Sequence, residues 1–336
     1  MKINRKELLH VLNLVQPGLD KSETVEQSNT FVFQDEQVFT FNDEVAVIVD
    51  YKTDFEGAVQ AEELYKLLSK VPEEEMELVG SENELKVKGK KARAGIRFNS
   101  EIELPIEEIG KPKKWHELPE NFLEGLQMCV FSTATTGLAS VLGCVHVKDD
   151  IVESCDDFRL TEFVMSAELN EEDELLIPAG PAKHLIANKV TEYATTDGWL
   201  HFRDGDGLRF ACRTIDGDFP DLEDLLKVSG TQVTLPDDLK PMLDRAGIFT
   251  TEEFGKNERV DIEMKKGALI VSGEGPAGWY KERTKVKFSS DTGIKFAVQP
   301  RFLIQVVDLL DTVLIGKSKL LLKGDGFKHV VALLGE

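Results

Sequence analysis

AVQAEELYKLLSKV, residues 58–71, and AVQPRFLIQVVDLL, residues 297–310, are the two stretches whose comparison decides the fold. Each opens on Ala-Val-Gln and continues with apolar residues at helical spacing: Leu64, Leu67, Leu68 and Val71 in one, Leu303, Val306, Val307 and Leu310 in the other. Positions i, i+3, i+4 and i+7 share one face of an α-helix, so both stretches read as amphipathic helices. They lie 239 positions apart. A repeated unit requires a third copy halfway, near residue 178. IPAGPAKHLIANKV, residues 177–190, supplies it, with Ala182, Leu185 and Ile186 in the equivalent places. Pro181 and Pro300 suit the first turn of a helix, where the missing N–H is not needed.

A second set of helix starts agrees. Leu118-Pro119-Glu120 and Leu235-Pro236-Asp237 stand 117 positions apart, and Ile3-Asn4-Arg5 lies about one period earlier. A proline or polar residue followed by acids suits a helix N-terminus. The chain thus reads as three copies of one α+β unit, 1–116, 117–230 and 231–336, each with two helices packed on antiparallel sheet. The expected helices are 4–15, 61–71, 119–130, 180–189, 236–246 and 299–310. Strands are expected at SNTFVFQ, QVFTFN, EVAVIVDY, MELVG, ELKVKG and ARAGIRF in the first unit, and at EYATT, WLHFRD and LRFACRTI in the second. The third is shorter at its end, showing only KLLLKG and FKHVVALL after Ile315-Gly316-Lys317. Duplicated sheet units associate through edges that otherwise stay open, and two chains of three units each can close a ring.

Within the middle copy, LASVLGCVHVKDDIVESCDDFRLTEF, residues 138–163, reads as a β-meander: strand, Lys-Asp-Asp turn, strand, polar loop Ser154–Leu160, strand. The loop holds Phe158, Arg159 and Leu160 in succession. Two readings stand, an ordinary connector with a buried leucine and a surface arginine, or a segment that contacts a partner.

The formal charge is −21, from 40 basic and 61 acidic residues, which by itself argues against nucleic acid. Its distribution qualifies that. The six expected helices carry nine basic and nine acidic residues, leaving 31 basic and 52 acidic elsewhere, so all the net negative charge lies off the helices. No apolar run reaches membrane-spanning length, and MKINRKELLHVLNLVQ lacks the apolar centre of a signal peptide. Cys129, Cys144, Cys155 and Cys212 form no CxxC pair, which points to a reducing cytoplasm.

Enzyme signals are thin. Gly316-Lys317-Ser318 ends like a phosphate-binding loop, but Asp311 stands where the earlier glycine is required. Asp204-Gly205-Asp206-Gly207 reads as a hairpin turn rather than a calcium loop, and Glu73-Glu74-Glu75 as a solvated turn. The six histidines show no HExxH and no paired spacing with cysteine, and GxSxG does not occur. No metal or cofactor is expected.

SCDDFRLTEF, 154–163, and RTIDGDFPDL, 213–222, resemble segments of the bacterial-type DNA polymerase sliding clamp, the β subunit of the replicative polymerase. The first is similar to the family's Ala-Thr-Asp-Gly-His-Arg-Leu-Ala, the second to its Ile-Glu-Gly-x-Phe-Pro-Asp-Tyr, and the likeness covers the whole chain. It implies a head-to-tail homodimeric ring of six domains with helices lining a hole for duplex DNA, and a processivity role without catalysis. DNA contacts would fall on Lys6, Lys66, Lys70, Lys183, Lys189, Lys240, Arg245 and Arg301. Such contacts are directed at phosphate and blind to sequence, as sliding requires. The resemblance also implies a pocket for short peptides of polymerase and clamp loader. By position it comprises Cys155, Asp157, Phe158, Arg159, Leu160, Pro220, Leu225, Val330, Val331, Ala332, Leu333 and Leu334. The family's Gly-His is Asp157-Phe158 here, an arginine usual after Phe-Pro-Asp is Asp224, and the Met-Pro-Met-Arg-Leu ending is Ala332-Leu333-Leu334-Gly335-Glu336. Such divergence suits a phage or mobile-element clamp. Two alternatives are a clamp-fold regulator or decoy that occupies clamp partners, and a nucleotide-binding enzyme using Gly316-Lys317-Ser318.

Overall fold

In a computed structural model, the structure describes residues 1–135, 140–171, 173–250, 258–288, 293–310 and 312–335. Leu138, Ala139, Asp311 and Glu336, which entered the sequence reading, lie outside the described residues. The chain begins with β1 (Lys2–Asn4), α1 (Arg5–Val15), β2 (Thr30–Gln34), β3 (Gln37–Phe41), β4 (Val45–Asp50), β5 (Gly57–Gln60), α2 (Ala61–Lys70), β6 (Glu75–Gly80), β7 (Glu84–Lys88) and β8 (Arg93–Asn99). It continues through β9 (His116–Glu117), α3 (Phe122–Cys129), β10 (Cys144–Lys148), β11 (Ile151–Cys155), β12 (Arg159–Val164), β13 (Glu174–Pro178), α4 (Ala179–Asn188), β14 (Glu192–Thr196), β15 (Trp199–Arg203), β16 (Leu208–Arg213) and the one-turn α5 (Glu223–Leu226). It ends with β17 (Thr231–Thr234), α6 (Leu239–Gly247), β18 (Val260–Lys265), β19 (Ala268–Gly275), β20 (Gly278–Lys285), β21 (Ile294–Val298), α7 (Pro300–Ile304), β22 (Thr312–Ile315), β23 (Lys319–Lys323) and β24 (Phe327–Ala332).

At each of the three stretches that repeat in sequence a strand runs into a helix, as β5–α2, β13–α4 and β21–α7. The last helix is shorter than expected. After Ile304 the backbone continues in turns, with Val306 N and Val307 N both donating to Leu303 O at 3.2 and 3.0 Å. The β-branched pair Val306-Val307 lowers helix propensity, yet Val306 is fully buried. The apolar spacing there records burial rather than helix length. Strand β22 was not among those expected at the end of the third unit, and strands β18 to β20, between its two helices, were expected from the repeat without being located in the sequence. The sequence of β20, GWYKERTK, shows why: its exposed residues alternate with polar, half-buried ones, so no apolar alternation marks it.

By its contacts the chain forms two compact units. The first comprises 1–127, 139–149 and 166–217, the second 128–138, 150–165 and 218–336. In the first, twelve strands form one sheet in the order β1-β6-β7-β8-β5-β2-β3-β4-β16-β15-β14-β9. Helix α1 is capped by Asn4, whose Oδ1 accepts from Lys6 N at 2.9 Å, and it buries Leu8, Leu12 and Val15 against β3 and β4. Helix α2 buries Leu64 and Leu68. Arg5 donates to the Leu68 and Glu73 carbonyls at 2.8 and 3.0 Å, tying the two helices together.

In the second unit β20-β19-β18-β21 form one sheet, and β11, β12, β24, β23, β22 and β17 pair in that order in another. Helix α6 lays Leu239, Met242, Leu243 and Ala246 into the core. Phe302, Leu303 and Val306 join it there with Ile262, Val271 and Val331.

Two strand pairs recur in form. In the first unit β4 runs antiparallel to β16, with Ile48 opposite Arg209 and Val47 opposite Phe210. In the second, β12 runs antiparallel to β24, with Glu162 opposite Lys328 and Thr161 opposite His329.

Candidate functional site

The loop expected between Ser154 and Leu160 is shorter than it read. Ser154 and Cys155 end β11, Arg159 and Leu160 open β12, and only Asp156, Asp157 and Phe158 turn between them. Asp156 builds the turn: its Oδ1 accepts from Phe158 N at 2.8 Å and Arg159 N at 3.0 Å. Its Oδ2 accepts from Arg159 Nε at 3.1 Å. Short acidic side chains close such turns on their own backbone.

Arg159 is therefore not a free polar handle. Its side chain is only 9% exposed. The guanidinium lies 4.5 Å from the ring centre of Phe302 and 5.7 Å from that of Phe131, and it donates to Gln305. Burial pulls its pKa below the usual arginine value, and the Asp156 carboxylate opposes the shift. Phe131, Phe302 and Gln305 are partners that sequence reasoning missed. Phe302 falls outside the helical apolar spacing that flagged its neighbours, and Phe131 lies far from the loop in sequence.

Around this strut the expected pocket residues divide by exposure. Cys155, Leu160, Val330 and Val331 are buried; Arg159, Ala332, Leu333 and Leu334 are half-buried; Asp157, Phe158, Pro220 and Leu225 are exposed. Burial pushes the Cys155 thiol up to about 12, which leaves it unreactive. Phe158, 40% exposed, stacks on Phe302 with ring centres 5.8 Å apart. The C-terminal segment is pinned by backbone: Ala332 N donates to Phe158 O at 2.7 Å, Leu333 N to Ser318 O at 2.9 Å and Leu334 N to Ala297 O at 2.8 Å. Helix α5 packs against β24 and holds Leu225 half out in solvent, with Lys319 Nζ donating to Leu225 O at 2.7 Å. Among the described residues, Phe158 and Leu225 are thus large exposed apolar side chains of the surface flanking β12 and β24.

Beneath it runs a buried polar chain. Ser132 Oγ and Thr161 Oγ1 are 2.6 Å apart, and Thr161 Oγ1 lies 2.9 Å from His329 Nδ1. Burial, aided by the charge of Arg159, lowers the His329 pKa to about 3, so the ring is neutral.

The eight expected DNA-contacting cations divide too. Lys6 pairs with Glu74, Lys66 with Glu62 and Lys240 with Asp308. Arg245 is held by both carboxylate oxygens of Glu282, at 2.7 and 2.9 Å, and by Tyr280. Lys70, Lys183, Lys189 and Arg301 are exposed and make no ion pair among the described residues. Lys189 caps α4 in the left-handed conformation, φ 53°.

Gly316-Lys317-Ser318 is the turn between β22 and β23, closed by Gly316 N donating to Lys319 O at 3.0 Å. A strand follows it where a phosphate-binding loop needs a helix N-terminus. Asp204 Oδ1 accepts from Asp206 N and Leu208 N, both at 2.9 Å, and closes the expected hairpin turn.

No family model and no curated protein matches the sequence. Solved structures do. The DnaN sliding clamp (DNA polymerase III subunit beta) of Pseudomonas aeruginosa, bound to griselimycin, superposes with a TM-score of 0.86 at 17% identity, over 100% of this chain and 99% of that one. That of Bartonella birtlesii, also bound to griselimycin, gives 0.86 at 17% over the same shares. The DNA polymerase sliding clamp of Bacillus subtilis gives 0.81 at 16%, over 100% of this chain and 98% of that one. At identities this low the likeness is one of fold, and the fold of this chain is that of the bacterial DNA polymerase III β sliding clamps.

Proposed function

We propose that this chain is a replication sliding clamp, a non-catalytic processivity factor whose head-to-tail dimer encircles duplex DNA and tethers the replicative polymerase. One observation carries the reading. The β4·β16 pair and the β12·β24 pair are two instances of one seam between successive repeats 1–116, 117–230 and 231–336. A third instance would join β20 to β8, and each has its edge open among the described residues: β20 ends its sheet, and residues 93–97 of β8 pair there with β7 alone. Open edges seek strands. A second copy, turned about a two-fold axis, satisfies both edges of both chains and closes the assembly.

A tether that slides needs weak, phosphate-directed contacts, with processivity supplied by topology rather than affinity. Lys70, Lys183 and Lys189, without an ion pair among the described residues, are the cations best able to supply them, with Arg301, which donates to Gln299 but meets no carboxylate there; Lys6, Lys66, Lys240 and Arg245 must first leave a carboxylate. The peptide site for polymerase and clamp loader is placed at Phe158 and Leu225 with the half-buried Leu333 and Leu334, apolar side chains suited to anchoring a short motif. Four free, buried cysteines fit a cytoplasmic protein, and no described helix is long and apolar enough to cross a membrane.

Retention on DNA tests the reading. Once loaded, the dimer should stay on closed circular DNA and be lost when the circle is cut; equal retention on both forms would refute encirclement. Primer extension with the cognate polymerase separates a working clamp from a decoy, which would inhibit rather than extend.

A further inference from the structure

The two existing seams match acid with base. Lys328 Nζ lies 2.6 Å from Glu162, and Arg209 Nη2 lies 3.0 Å from Asp50. The third can be read in the same register. Two four-strand ladders start from the repeated Ala-Val-Gln: Ala58–Val32–Phe39–Ile48, and Ala297–Asp261–Ser272–Lys281. Lys281 thus takes the place of Ile48, and Arg283 that of Asp50. On the other strand, Lys88 opposite Arg93 repeats Arg203 opposite Arg209 and Lys323 opposite Lys328. Arg93 therefore takes the place of Arg209 and Lys328. Since Ile48 faces Arg209 and Glu162 faces Lys328, Lys281 must face Arg93. The burial pattern agrees: Trp279, Lys281 and Arg283 share the exposed face of β20, as Arg93, Gly95 and Arg97 share that of β8. Trp279, 71% exposed, then meets Gly95, over which the Glu84 side chain lies.

Two acids of the existing seams are thus replaced by bases, Glu162 by Lys281 and Asp50 by Arg283. Across from them stand Arg93 and Lys91. Glu282, the acid on β20, points to the other face and is held there by Arg245. Glu274 lies one strand in from its edge, opposite Trp279. Glu84, opposite Arg97, is the one acid named here that reaches the seam face, where it covers Gly95 and pairs with Lys86 at 3.7 Å, leaving Arg93 and Lys281 facing each other. In a chain of net charge −21, two basic edges that must meet are conspicuous. Like charges directly opposite in an antiparallel pair oppose the pairing.

We propose that closure of the two-chain ring is opposed by like charge across the β20–β8 seam, so that ring stability is set by ionic strength and by anions that screen Lys281, Arg283 and Arg93. The inference rests on the head-to-tail pairing above. It predicts a dimer that tightens as salt rises, the reverse of an interface held by ion pairs.

Sedimentation velocity on the full chain tests it at about 50 mM and about 500 mM sodium chloride, between which the screening length falls from roughly 14 Å to roughly 4 Å. The dimer dissociation constant should fall about tenfold. Because salt also favours apolar contacts, charge reversal separates the causes. Arg93→Glu places a carboxylate opposite Lys281, so it should tighten the dimer at low salt and reverse the sign of the salt dependence. Lys281→Glu should do the same from the other strand, and the double variant should return to the behaviour of the unaltered chain. A wild-type dimer that weakens with salt, or reversals that weaken it at low salt, would overturn the charge-opposed seam while leaving a dimer. A chain that is monomeric in every variant and at both salts would overturn the pairing itself.

Discussion

Replacing Arg159 with alanine decides whether that residue is a strut or a ligand handle. The guanidinium is buried between two rings and bound to Asp156 and Gln305. A hydrogen bond to a charged partner is worth about 1.5–3 kcal/mol, and a desolvated cation–π contact about 1–2 kcal/mol. Asp156 would keep its two backbone donors, so it is not stranded in full, and these contributions do not simply add. A net loss of about 2–3 kcal/mol is expected. Hydrogen exchange on the full chain reads it locally: amides of β12 and β24 should exchange roughly 30- to 150-fold faster, each 1.4 kcal/mol being a factor of ten. The first unit serves as an internal control. Exchange in β12 and β24 changing less than about threefold, with loss of peptide binding, would refute the strut and restore Arg159 as a handle.

Peptide binding should instead fall by about tenfold or more on Phe158→Ala or Leu225→Ala, with little change in stability, because both side chains are exposed; competition with a fluorescent polymerase-tail peptide measures it. Leu160→Ala is expected to cost about 2–4 kcal/mol through a core cavity, and equilibrium unfolding should show it. Burial holds the His329 pKa down to about 3 and the His201 pKa to about 4, below an unfolded value of about 6.5. The unfolded chain therefore takes up protons first; this stability is full above pH about 6.5 and falls by up to about 1.4 kcal/mol per pH unit for each ring below it. Urea titrations at descending pH should show that slope, and His329→Phe should lessen it. Finally, the triple change of Lys70, Lys183 and Lys189 to alanine removes six cations from the two-chain ring and should lower the salt slope of DNA binding by up to about 5.4, at about 0.9 for each phosphate no longer neutralised, whereas Lys66→Ala, which removes a cation already paired with Glu62, should change it less.

Much was determined by sequence alone. Repetition of Ala-Val-Gln before an apolar helical face located β5–α2 and β21–α7, and the same face halfway between them located β13–α4, because a buried stripe at period 3.6 is a local signal that survives without its partners. The Asp204 and Lys-Asp-Asp turns were legible for the same reason: their chemistry is contained within a few residues. Strand β20 was not, since an edge strand packed on one side carries no apolar alternation. Helix α7 ended early although its stripe continued, because packing buried Val306 without requiring a helix.

The character of the candidate site was decided only in three dimensions. Phe158, Arg159 and Leu160 are consecutive, yet one is exposed, one is a clamped strut and one is core. What separates them is contact with Phe131, Phe302, Gln305 and Val330, brought in from distant segments. Likewise a lysine on an exposed helical face reads the same whether a carboxylate lies beside it or not. Lys240 and Asp308 are 68 residues apart, and only the packing of α6 with the α7 segment pairs them. Local patterns fix elements because backbone propensity and one buried face suffice; burial of a charge, and the partner that answers it, belong to the tertiary fold.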